Sequence, residues 1–102
     1  MDNRITIHEF SSLCCYDVHI NIKRSDNGKV VINDVNSLRR SKDKRQIAKW
    51  EAFKTKEIYG FRPSVQIEGL KRNENFFRMS IDAWISKYDY EKAVSEYKAS
   101  IT

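Results

Sequence analysis

Hydrophobic and polar positions alternate most cleanly at residues 16–23, where Val18, Ile20 and Ile22 interleave with His19, Asn21 and Lys23. A period of two sends one set to a buried face and the other to water, which predicts a strand. Ser25-Asp26-Asn27-Gly28 follows. Asn and Gly both tolerate positive φ, so a tight turn is expected there, with residues 29–32 as the returning strand of a hairpin. A shorter alternation upstream, with Ile5, Ile7 and Phe10 facing one way and Thr6 and Glu9 less apolar, predicts another strand. A third run begins at Ser64, where Val65 and Ile67 oppose Gln66 and Glu68. It crosses a polar loop at 69–75 and pairs back through Phe76-Phe77-Arg78-Met79 as a second hairpin.

Between the hairpins the period changes. Asn33 is positioned to cap a short helix over residues 34–38, and Ser41 or Asp43 to cap a second helix over about 42–58. Gly60 would close that helix and Pro63 would prevent its continuation. Two helices joined by a short polar connection have the layout of a helix-turn-helix unit. Near the C-terminus, Ile81, Trp84, Ile85 and Tyr88 fit i, i+3, i+4, i+7 with Ser80 as cap, which predicts a helix. From Asp89 the stripe is rephased to Tyr90, Ala93, Val94, Tyr97 and Ile101, which implies a bend or two helices. The expectation is a single α+β domain over residues 1–102: two β-hairpins, a helix-turn-helix-like pair and one or two C-terminal helices. Its core would join Trp50, Phe53, Trp84, Ile85 and Tyr97 to Val18, Ile20 and Ile22.

At 102 residues the chain is one domain, able to bury about two-thirds of its unfolded surface. No apolar run approaches the roughly 18 residues that span a bilayer, and the first ten residues lack the apolar core of a signal peptide. No membrane association and a cytoplasmic location are therefore expected. Cys14 and Cys15 are adjacent, a spacing unsuited to an ordinary disulfide, and read as reduced thiols.

Charge changes the picture. Residues 39–56 hold eight basic side chains, Arg39, Arg40, Lys42, Lys44, Arg45, Lys49, Lys54 and Lys56, against Asp43 and Glu51. That is a local charge of +6 where the whole chain carries +5. On a helix Arg45, Lys49 and Lys56 share one side, and Trp50, Ile47 and Ile58 share another. A basic flank on a helix anchored by aromatic residues suits a polyanion, so Arg39, Arg40, Lys42, Lys44, Arg45, Lys49 and Lys56 are the candidate nucleic-acid contacts. Lys71, Arg72 and Arg78 of the second hairpin join them as a basic wing. Lys42, Arg45, Lys49, Lys56, Lys71 and Arg72 are expected to converge on one face. A solvated helix and a hairpin made soluble by charge are the plainer readings of the same residues.

Catalytic patterns are scarce. His8 and His19 have no cysteine at zinc spacing, and no Gly-x-Ser-x-Gly or phosphate-cradling glycine loop occurs. Asp17, Asp26, Asp34, Glu51, Glu57 and Glu68 show no nuclease-like spacing. No enzyme, metal or cofactor is expected. Tyr59-Gly60-Phe61-Arg62 has the look of an RNA-stacking motif, but the order of elements does not fit that fold.

Several segments, taken in order, resemble the KilA-N domain, the DNA-binding module of phages and large DNA viruses related to the fungal APSES domains. Ile5-Thr6-Ile7 opens the resemblance. Asn27-Gly28-Lys29-Val30-Val31-Ile32-Asn33-Asp34-Val35 is similar to that family's strand-to-helix entry, and Lys49-Trp50-Glu51-Ala52-Phe53-Lys54-Thr55-Lys56-Glu57-Ile58 to its Trp-containing helix. Ala83-Trp84-Ile85-Ser86 and Lys92-Ala93-Val94 resemble its closing segment, with Lys87 where proline is usual. The resemblance implies a helix-turn-helix-like α+β fold, binding of duplex DNA, a regulatory role, no catalysis, and a phage, prophage or viral origin. The alternative is a small phage-encoded protein that inhibits an acidic host protein, such as a DNA-defence component. The oligomeric state stays open, a dimer included.

Overall fold

The computed structural model describes residues 4–14, 18–71 and 74–101, with backbone alone for 65–71 and 74–78. The described chain forms four helices and a four-stranded mixed sheet, an α+β fold.

The first element differs from expectation. Residues Ile7–Leu13 are a helix, α1. Thr6 Oγ1 accepts from the Glu9 N–H and Glu9 Oε1 from the Thr6 N–H, both at 3.1 Å, which closes a capping box. That reciprocal bond satisfies two donors that a helix start otherwise leaves orphaned. Ile7, Phe10 and Ser11 are the buried positions, a helical rather than an alternating pattern.

The first hairpin forms as the alternation predicts. Strand β1, His19–Arg24, pairs antiparallel with β2, Val30–Ile32, and sets Ile22 opposite Ile32. Its turn needs Gly28, which sits at φ 70°, and Asn27 Oδ1 accepts from the Lys29 N–H at 2.9 Å.

Helix α2, Val35–Arg40, is capped by Asp34 rather than Asn33, with the Ser37 N–H donating to Asp34 Oδ1. Helix α3, Lys44–Phe53, is capped by Asp43, whose Oδ1 accepts from the N–H groups of Arg45 and Gln46 at 2.9 and 3.2 Å. It does not reach 58. The N–H groups of His8 and Ile7 take the carbonyls of Lys54 and Lys56, and the Ile58 N–H donates to the Ile5 carbonyl. A tertiary partner thus claims the backbone that would have propagated the helix. Gly60, expected as its cap, opens strand β3, Gly60–Lys71, and Pro63 lies within that strand. β3 is the edge of the sheet, where a missing N–H is tolerated.

The second hairpin is longer than its sequence signal. β3 pairs antiparallel with β4, Glu74–Ile85, from Gly60↔Trp84 to Lys71↔Glu74. β4 absorbs Ser80, Ile81, Trp84 and Ile85, which the 3.6-residue spacing assigned to a helix. Ile81, Ala83 and Ile85 are buried at a strict period of two, and Ser80 is a strand residue whose hydroxyl lies 2.9 Å from that of Ser64. β4 also pairs in parallel with β1, Ile20 against Ile81 and Ile22 against Ala83, giving the order β2-β1-β4-β3. Helix α4, Lys87–Ile101, follows at once, Ser86 Oγ accepting from the Asp89 N–H. The rephasing at 87–89 marks a strand-to-helix junction, not a bend. Tyr90, Val94 and Tyr97 pack on the core around fully buried Ala93.

The core joins Ile20, Ile22, Ile81, Ala83 and Ile85 of the sheet to Ile7, Phe10, Val35, Leu38, Trp50 and Phe53 of the helices. Trp84, expected inside, is only half-buried, because it alternates with Ala83 and Ile85 and faces the other side of β4. The outcome expected is that Ile85→Ala costs about 2–5 kcal/mol and Trp84→Ala a smaller loss of about 1–2 kcal/mol. Urea unfolding of both variants measures this, and equal losses would return Trp84 to the core.

Candidate nucleic-acid interface

The proposed contacts separate into those the fold consumes and those it leaves outward. Lys56 is consumed: it is 7% exposed, and its Nζ donates to Glu96 Oε2 on α4 at 2.9 Å. A buried ammonium requires such a partner, because desolvation without one is costly. Lys49 is half-buried on the inner side of α3 and donates to the Val31 carbonyl at 3.1 Å. Burial holds its ammonium below the ordinary lysine pKa. Arg39 is turned toward α1, its Nη1 3.4 Å from Ser11 Oγ. Arg40, at the end of α2, donates through Nε to the Asn36 carbonyl at 3.2 Å.

Lys42, in the connection, and Lys44 and Arg45, in the first turn of α3, are exposed. Among the described residues no carboxylate pairs with any of the three. Asp43 stands between them, but its oxygen is engaged by the helix N–H groups it caps. Cations in a first turn oppose the positive end of the helix dipole, so the fold gains nothing locally from Lys44 and Arg45. The side chains of Lys71 and Arg78 lie outside the description, although their backbones belong to β3 and β4, and Arg72 falls outside the described residues.

The expected basic face is therefore smaller than its sequence signal. Lys56 points into the protein and Lys49 faces β2, while Lys42, Lys44, Arg45 and the exposed Arg40 share the α2–α3 junction. Other cations are neutralised elsewhere: Lys54 by Glu51 at 2.7 Å, Arg24 by Asp26 at 2.7 Å, Lys23 by Asp82 at 3.1 Å. Burial pushes the Asp82 carboxyl up, but hydrogen bonds from Asn21 and Lys23 outweigh it and hold the pKa below the usual value.

A cleft of about 300 Å³ adjoins the junction, lined by Asn33, Asp34, Ser37, Ser41, Gln46 and Lys49 among others. The sequence pattern gave Asn33 a capping role and Gln46 none, and neither was expected in a cleft. Their only signal was proximity to the caps at Asp34 and Asp43. Among the described residues no group of three His, Cys, Asp or Glu side chains could hold a metal, and no helix is long and apolar enough to cross a membrane.

Comparison with family models, curated proteins and solved structures finds no match for this chain.

The Lys56–Glu96 pair sets a pH dependence. Its hydrogen bond holds the Glu96 carboxyl below its ordinary pKa of 4.5. A carboxylate depressed on folding stabilises the native state above its unfolded pKa, and that stability is lost as pH falls through the folded value. Glu96→Gln should therefore be less stable than the parent at pH 7, with the gap closing as the pH drops below 4.5. Urea midpoints across that range check it, and a gap independent of pH would remove Glu96 from the account.

Proposed function

We propose that the chain binds duplex DNA, in a regulatory role of phage or viral type, through the α2–α3 connection and the first turn of α3. The observation that carries this reading is the exposure of Lys42, Lys44 and Arg45 together, with the one acid among them committed to capping. Phosphate would relieve the unfavourable placement of these cations at a helix N-terminus, where backbone N–H groups also favour an anion.

The arrangement of elements supports it as well. α2 and α3 are joined by three residues, and both are anchored from behind by Val35, Leu38, Trp50 and Phe53. A helix so held offers its N-terminal residues outward, as the second helix of a helix-turn-helix unit does in a major groove. In this reading the β3–β4 ribbon is the wing, and a KilA-N-like ancestry would account for the order hairpin, helix pair, hairpin, helix that follows α1. Arg45 is the residue for base reading, since a guanidinium grips guanine through two hydrogen bonds.

Three phosphate contacts predict that log K for duplex binding falls with log salt at a slope of about −3, steeper with the ribbon engaged. Lys44→Ala should weaken all sequences alike and flatten the slope by about one, whereas Lys87→Ala, at the start of α4 and paired with Glu91, should not. Fluorescence anisotropy of labelled duplexes at several salt concentrations measures both. No duplex binding at low salt, with tight binding to an acidic protein, would overturn the reading in favour of the interaction protein.

A further inference from the structure

A second recess, on the other side of Lys49, opens between β2, α3 and α4. It encloses about 330 Å³, and its walls are Val31, Phe53, Tyr90, Val94 and Tyr97. Among the described residues, the charged groups lining it are Lys49 and Lys98, and no carboxylate does. The walls are fixed from behind: Phe53 is 2% exposed, its ring 6.3 Å from that of Tyr90, and Ala93 is fully buried beneath α4.

Lys49 is the telling residue. An ammonium carries three donors, and the Val31 carbonyl takes one of them. Among the described residues no carboxylate lies within ion-pair distance, so a partly desolvated cation faces the recess without a counter-charge. Such a charge is costly unless it is compensated. Its depressed pKa reports the same desolvation.

We propose that this recess binds a small amphipathic anion, an aromatic or short-chain carboxylate or phosphate ester. The head group meets Lys49 and Lys98, and the body lies against Tyr90, Val94 and Tyr97. The volume sits at the small end of ligand pockets, and apolar walls with a few convergent polar groups are their usual make-up. The two lysines exclude cationic ligands and give an anion a charge-assisted hydrogen bond that a neutral isostere lacks. The inference stands apart from the duplex reading: either survives failure of the other.

The test titrates the full chain with benzoate and phenyl phosphate, with benzyl alcohol and benzylamine as neutral and cationic counterparts. Side-chain NMR signals of Tyr90, Val94 and Tyr97 follow binding. Saturable shifts are expected for the two anions, at least tenfold tighter than for benzyl alcohol, and none for benzylamine. Val94→Trp, which fills the recess, should abolish binding, and Lys49→Gln should weaken it at least tenfold. Lys98→Gln, at an exposed position on α4, should weaken it severalfold and serves where Lys49→Gln does not fold. Lys87→Gln, whose lysine pairs with Glu91 at the other end of the helix, controls for net charge and should bind as the parent does. Absence of saturation with both anions, equal affinity for benzyl alcohol, or equal loss in Lys87→Gln would each overturn the proposal.

Discussion

The parallel pairing of β1 with β4 is the constraint on which the rest of the molecule depends. The two strands lie about sixty residues apart in sequence, yet Ile20 meets Ile81 and Ile22 meets Ala83. Closing so long a loop is entropically expensive, so the apolar contacts it brings must be made together. They are: Ile20, Ile22, Ala83 and Ile85 are all fully buried. Each strand also carries its own hairpin partner, so one pairing fuses two local units into a single sheet. The covering helices have a floor only once that sheet exists.

The same constraint divides the charge of residues 39–56. α3 must lay Trp50 and Phe53 on the sheet, and this fixes its rotation. Lys49 then has to face β2, where it finds the Val31 carbonyl, and Lys44 has to face outward. Past the helix end the N-terminal segment draws residues 54–58 into its own hydrogen bonding, carrying Lys56 inside to Glu96. A net charge of +6 counted along the sequence becomes a much smaller outward cluster. Counting charge on a helical wheel overstates a field when the helix is shorter than the wheel.

The sequence was legible where one element answers to one period. The hairpin at Asn27-Gly28, the existence of a helix pair with Asp43 as a cap of its second member, and the stripe of α4 follow from local chemistry alone, although the cap of α2 is one residue later and α3 is shorter than the pattern suggests. It was misread where two periods fit the same residues. Ile81, Trp84 and Ile85 satisfy a helix, while Ile81, Ala83 and Ile85 satisfy a strand, and only pairing on both flanks of β4 decides between them. At Ile5, Ile7 and Phe10 the alternation outweighed Thr6 and Glu9, although a Thr-x-x-Glu box is the stronger local signal. Of the candidate contacts, Lys42, Lys44 and Arg45 are exposed, as charged residues off the apolar stripe of α3 are expected to be. The fates of Lys49 and Lys56 could not be read in the sequence, since Val31 and Glu96 reach them from 18 and 40 residues away.

Buried Lys56 and half-buried Lys49 differ in their partners. Lys56 is closed off with a carboxylate, an arrangement that neutralises its charge and ties α4 to the segment after α3. Lys49 is held by α3 and, among the described residues, meets a neutral carbonyl rather than a carboxylate, in a recess that Lys98 also lines. Were stability the whole reason for these side chains, an apolar residue at 49 would pack against Phe53 and Tyr90 without a desolvation cost. Among the described residues no carboxylate lies within ion-pair distance of Lys49, and its bond to the Val31 carbonyl, which ties α3 to β2, offsets only part of its desolvation. An anion bound in the recess, as proposed, would supply the missing counter-charge.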